Sequence, residues 1–173
     1  METKLEHVLM HSHKEEMISF MNTHPEYFEE AFELAIRNKQ PYSWRAAWLL
    51  WSCIIENDPR VQKHIQKILE NIRDKQDGHQ RELIKILLVM NLNEEQEGFL
   101  YDVCVQLWKQ VEKKPSVRFT AFRCIKKIAH KYPDLSNEVA LLSQEMYLST
   151  LSPGVKRSIL KMLKQHNLKG NYQ

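Results

Sequence analysis

The chain has 173 residues, 43% of them hydrophobic and 27% charged, which suits one well-buried domain of an ordinary soluble protein. Basic residues exceed acidic ones only slightly, 25 to 22, but unevenly: residues 1–110 hold 13 basic and 18 acidic side chains, and residues 111–173 hold 12 and 4. The last third is therefore a basic pole. No segment approaches the roughly 20 apolar residues of a membrane span, and Glu2 and Glu6 lie where a secretory leader is basic. Cys53, Cys104 and Cys124 are an odd set without metal-ligand spacing. These features argue against a membrane protein and a secreted disulfide scaffold, and predict reduced thiols in a cytoplasmic protein.

Four glycines and six prolines fall mostly between periodic segments, and no alternating valine- or threonine-rich run occurs, so every expected element is a helix. A short helix over 1–10 leads, followed by one over 13–21, where Ser12 and Glu15 have the spacing of a capping box and Met17, Ile18 and Met21 are apolar. Pro25 suits the first turn of a third helix ending near 38. Gln40-Pro41 then breaks the chain before the stretch 42–55, YSWRAAWLLWSCII, which holds three of the four tryptophans and one charge, Arg45. The other elements are expected to pack around it. With Arg45 at 0° and about 100° per residue, Trp44, Trp48 and Trp51 fall between about 240° and 300°, and Leu50, Cys53 and Ile54 between about 80° and 180°. The tryptophan arc is expected to be structural, packed on the partner helix.

Asp58-Pro59 is an N-cap with proline at the first helical position. The helix it starts carries a narrow stripe, Val61, Ile65, Ile68, Leu69 and Ile72, and should lie outside. Asp77-Gly78 punctuates before a helix over 79–92, and Asn93 caps one over 94–112. Pro115 and Pro153 introduce two basic helices, 117–130 and 155–167, with a helix over 136–148 between them. The short connections are those of antiparallel neighbours.

A repeat runs through the second helix of each pair. Trp44-Arg45, Gln80-Arg81, Val117-Arg118 and Val155-Lys156 place a cation near each start, 36, 37 and 38 residues apart, and Trp48, Ile84, Ala121 and Ile159 follow three positions later. On these residues, and on the run Val117-Arg118-Phe119-Thr120-Ala121-Phe122, the sequence resembles the HEAT and armadillo-like repeat family over about 25–168. The resemblance implies an all-α fold, a right-handed α-α superhelix of about four helix pairs in one domain spanning 1–173, with an amino-terminal cap over 1–22 and a tail at 169–173. Arg118 lies at the centre of an apolar arc. Arg45, Arg81 and Arg118 are therefore assigned structural roles, bonded to carbonyls or carboxylates at turns between repeats.

The faces opposite the leading cations carry Leu50, Cys53 and Ile54, then Ile86, Val89 and Met90, then Arg123, Lys126 and Lys127, then Lys161, Lys164 and Gln165. In the resembling family the second helices line a concave surface, which implies a groove apolar at its amino end and basic at its carboxyl end. The apolar half is expected to be covered by the amino-terminal helices rather than to stand open. A protein or peptide partner is the leading expectation, and a nucleic acid bound through the basic third is the alternative. Some armadillo-like proteins are DNA glycosylases, but no Asp or Glu lies between Trp44 and Ile55 to act beside the tryptophans. No other catalytic motif is present, so no enzyme and no cofactor are expected. His7 and His11 share a helical face one turn apart, but the sequence offers no clear carboxylate or cysteine to complete a metal shell, so none is assigned.

Overall fold

The computed structural model describes residues 2–167, with side chains to Lys164; the expected tail at 169–173 lies outside these. Among the described residues all regular structure is helical. The α-helices are α1 Lys4–His11, α2 Lys14–Thr23, α3 Phe28–Ile36, α4 Tyr42–Cys53, α5 Pro59–Gln62, α6 Ile65–Asn71, α7 Asp77–Leu87, α8 Glu94–Lys109, α9 Pro115–Lys131, α10 Ser136–Leu142, α11 Glu145–Leu148 and α12 Pro153–Asn167. Tight 3-10 turns at Pro25–Tyr27 and Pro133–Leu135 lead into α3 and α10. The chain gathers into two compact units, Met1–Glu97 and Gly98–Gln173.

In the first unit α4 is the central element, packed on α1, α2, α3 and α7. Its enclosed side chains are Ser43, Ala46, Ala47, Leu49 and Leu50, whereas Trp44, Trp48 and Trp51 are only half-buried. The arc expected to face the core is thus the rim, and the opposite arc is enclosed. Size explains the exchange: serine and alanines let neighbouring helices come close, while the larger indoles stand half-buried at the edge. Trp44 rests on Gly78, where an added Cβ would lie 3.2 Å from its Nε1. Asp77-Gly78 is therefore no break; α7 begins at Asp77, and glycine in its first turn leaves room for the indole.

Several ends form through capping. Glu6 N–H donates to Thr3 Oγ1 at 3.1 Å to start α1, and His13 N–H donates to Glu16 at 2.7 Å at the start of α2, one residue beyond the expected Ser12 box. Asn93 and Gln96 exchange main-chain and side-chain bonds of 3.1 and 2.9 Å ahead of α8. Asp58 caps α5, accepting from Arg60 N–H at 3.0 Å and from its guanidinium at 3.0 and 2.7 Å. The Arg60 bonds hold the Asp58 carboxyl below its ordinary range. The single outer helix expected after Asp58 is divided at His64, whose backbone leaves the helical region at φ −112°, ψ 3°. There the imidazole stacks on Phe32 at 4.2 Å and bonds Glu29 at 2.8 Å. The expected helix over 136–148 divides likewise into α10 and α11.

The second unit closes around Arg118, which is fully buried on α9. Its Nε donates to the Trp108 carbonyl at 3.0 Å, one Nη to Thr150 Oγ1 at 2.8 Å and the other to the Tyr147 carbonyl at 2.8 Å. The guanidinium lies 4.7 Å from the Trp108 ring centre, and Trp108 Nε1 donates to the Leu142 carbonyl at 2.8 Å. Each of its three donor nitrogens is thus bonded, as burial demands. Cys104 and Cys124 are buried between α8 and α9, where desolvation pushes the Cys104 thiol well up.

A buried histidine ties α7 to the end of α3. His79 Nε2 donates to the Ala35 carbonyl at 2.6 Å, which leaves Nδ1 to accept from Gln40 Nε2 at 3.0 Å. Desolvation, opposed by the Ala35 bond, lowers its pKa from 6.5. The folded state therefore binds this proton less readily than the unfolded chain. Its contribution to stability is full above the unfolded value and is lost as pH falls through the lowered one. Acidifying from about pH 7.5 to about pH 5 should lower the thermal midpoint, and His79→Gln should flatten that dependence. An equal slope in both proteins would show that His79 titrates as it does unfolded.

Candidate interaction surfaces

In the first unit the tryptophan arc of α4 forms a face with α2 and α7. Lys14 of α2 lies 5.7 Å from the Trp48 ring centre, and Lys85 of α7 lies 4.7 Å from that of Trp51. Trp44 against Gly78 and Trp51 against Lys85 are contacts seven residues apart on both helices, so α4 and α7 run parallel and in step. Beneath Lys85 is Glu82, fully buried: one carboxylate oxygen accepts from Arg81 Nε and Nη2 at 2.9 and 2.7 Å, the other from Lys85 Nζ at 2.7 Å. Arg45 differs: Nη2 reaches Met17 Sδ at 4.0 Å, and Nε is enclosed without a hydrogen-bond partner. The three tryptophans thus stand beside Lys14, Arg45 and Lys85, with Trp48 and Trp51 meeting a lysine at their ring faces.

The apolar half of the expected groove is mostly interior. Leu50, Ile86 and Met90 are 1%, 1% and 6% exposed, so Ile86 and Met90 are corrected from binding residues to core. Ile86 is enclosed because α7 buries residues nearly all around its circumference and leaves Arg81 and Lys85 toward solvent, and Met90 follows in the turn after the helix. Val89, Cys53 and Ile54 are half-buried and Ile55 is 68% exposed, giving a small apolar edge where α4 and α7 end. Asn57, at φ 55°, turns the chain there, and its N–H donates to the Val89 carbonyl at 2.8 Å. Burial pushes the Cys53 thiol up to about 11, so it is not poised as a nucleophile. Of the amino-terminal helices, α2 meets α4 at Arg45 and Trp48, and Leu5, Leu9, Met17 and Met21 are buried.

In the second unit cations other than Arg118 gather on outward faces of two helices. On α9 the buried residues include Val117, Arg118, Ala121, Phe122, Ile125 and Ile128, while Arg123 and Lys127 are exposed and Lys126 is half-buried. Partial burial pulls the Lys126 ammonium below the ordinary lysine value. On α12, which packs on α9, Ile159 is buried and Lys161 and Lys164 are exposed. Neither helix contains an Asp or Glu. Each therefore turns an apolar arc inward and a basic arc outward, on adjacent helices. Leu160, 39% exposed, lies among the α12 cations.

These observations define an all-α protein of paired helices whose chemistry lies on outward helix faces. The chain belongs to the HEAT repeat family: the model of the HEAT repeat domain matches residues 1–166. No curated protein and no solved structure matches it. HEAT repeat domains are generally non-enzymatic and typically act as protein-interaction scaffolds.

The enclosed and rim positions of α4 make a quantitative distinction. Leu50→Ala should cost roughly 2–5 kcal/mol, the range for an enclosed leucine, and Trp48→Ala about 1–2 kcal/mol, because its ring keeps one edge in water. Urea unfolding at unchanged slope measures both. A larger loss for Trp48→Ala than for Leu50→Ala would return the tryptophan arc to the core.

Proposed function

We propose that the chain is a non-enzymatic interaction protein whose second unit binds an acidic segment of a protein partner across α9 and α12. The observation that supports this most is the outward set Arg123, Lys126, Lys161 and Lys164 on two packed helices that contain no carboxylate. A surface with this density of positive charge attracts an acidic ligand. In the first unit the tryptophan and cation face offers aromatic contact area with charge beside it, the residue types enriched at interface centres. The free thiols fit a reducing, cytoplasmic compartment. No described helix is long and apolar enough to cross a membrane. Phosphate groups would also meet the basic face, but Phe119 is the aromatic residue at hand there for base stacking, and it is half-buried.

The test compares a glutamate-rich peptide with a single-stranded oligonucleotide of equal charge, each followed by fluorescence anisotropy. The peptide should bind the full chain, weaken steeply as salt rises, and lose at least about tenfold in affinity in the Arg123→Glu, Lys161→Glu double variant. Circular dichroism confirms that the variant is folded. Tighter binding of the oligonucleotide, lost in the same variant, would replace the acidic-peptide reading with a phosphate clamp. Binding of neither at low salt would reject the basic face as an interaction site.

A further inference from the structure

The first helix carries a group of side chains that neither face uses. Glu2, His7 and His11 each offer one ligand atom, all three exposed, and these atoms lie within 4.8 Å of one another. His7 and His11 stand one turn apart on α1 with ring centres 4.5 Å apart, and Glu2 Oε2 is 3.5 Å from His7 Nδ1. The periodicity of α1 pairs the imidazoles but supplies no carboxylate, since Glu2 precedes the helix. The chain's entry through Thr3, the N-cap of α1, returns it to their side.

Bonds of about 2.0–2.2 Å from a zinc-like ion to imidazole nitrogen and carboxylate oxygen set neighbouring ligand atoms roughly 3–4 Å apart. The three atoms can therefore close on an ion by side-chain rotation, without moving the helix. The carboxylate is also held from behind. Tyr42 Oη, on α4, donates to Glu2 Oε1 at 3.2 Å, which leaves Oε2 toward His7. An outer hydrogen bond of this kind orients a ligand. The Lys39 ammonium, 5.0 Å from the Tyr42 ring centre, is itself paired with Glu6.

We infer that Glu2, His7 and His11 form a surface site for one zinc-class divalent ion, with water completing its shell. Two imidazoles and a carboxylate suit zinc, nickel or copper, and exclude calcium and magnesium, which take oxygen ligands. The bound ion ties residue 2 to α1 and, through the Tyr42 hydrogen bond, to α4. The full chain, purified without a histidine tag, is titrated with Zn2+ against a chromophoric chelator, and the imidazole resonances of His7 and His11 are followed by NMR. The expected result is one ion per chain, with both imidazoles shifting together. His7→Ala and His11→Ala should each weaken binding tenfold or more, and Tyr42→Phe by roughly tenfold. All three positions are exposed or half-buried, so the variants remain folded. Equal zinc affinity in the His7→Ala, His11→Ala double variant, or no uptake by the parent chain, would overturn the assignment.

Discussion

The second unit depends on a positive charge placed where water cannot reach it. Burial pulls the Arg118 guanidinium below its ordinary pKa, but arginine stays charged, so the fold must satisfy its donors in place of water. It does so with the Trp108 carbonyl near the end of α8, the Tyr147 carbonyl in α11 and the Thr150 hydroxyl. Carbonyls at helix ends carry the partial negative charge of the helix dipole and have lone pairs no longer used by the helix, so one fork of donors satisfies both needs. Breaking a buried charge from its partners typically costs about 3–5 kcal/mol, and each bond fixes the rotation of α9 about its axis. That rotation turns Arg123, Lys126 and Lys127 away from the core.

The first unit buries the opposite charge, the Glu82 carboxylate, and pairs it with cations at its edge. Arg81, at the matching place in its helix, is held by Glu82, the next residue, and Lys85 closes the other side of that carboxylate. Arg45 reaches no carboxylate and lies against Met17. The repeating cation was legible in the sequence because its spacing is regular, and so was the idea that it needs a partner. The partners were not, since Tyr147 and Thr150 lie about thirty residues from Arg118, and only the folded backbone brings them near.

The helices themselves were legible because proline, Asp58 and Asn93 mark their starts by local chemistry. Divisions at His64 and Ser143 were hidden, since apolar residues continue through both. The candidate surface was readable in α9 and α12, where an apolar arc and a cationic arc stand opposite one another. In α4 and α7 both arcs are apolar or mixed, so hydrophobicity cannot say which one is enclosed. There the decision falls to side-chain size: Ala46 and Ala47 admit neighbours closely, the tryptophans do not, and Ile86 and Met90 go inside with them. Glu2, outside any helical period, was invisible as a partner for His7 and His11 until the chain turned back at Thr3.

The orientation of α9 decides whether the basic face exists, and Arg118 and Arg123 on that one helix report it together. The most direct measurement is hydrogen exchange at the arginine Nε–H groups by 15N-resolved NMR. If the guanidinium of Arg118 is enclosed and bonded to the Trp108 carbonyl, its Nε–H exchanges at least about a hundredfold more slowly than that of exposed Arg123, as a buried hydrogen bond requires an opening of the structure. Equal, rapid exchange at both would place Arg118 in solvent, remove the bond that sets the rotation of α9, and contradict the outward placing of the lysines.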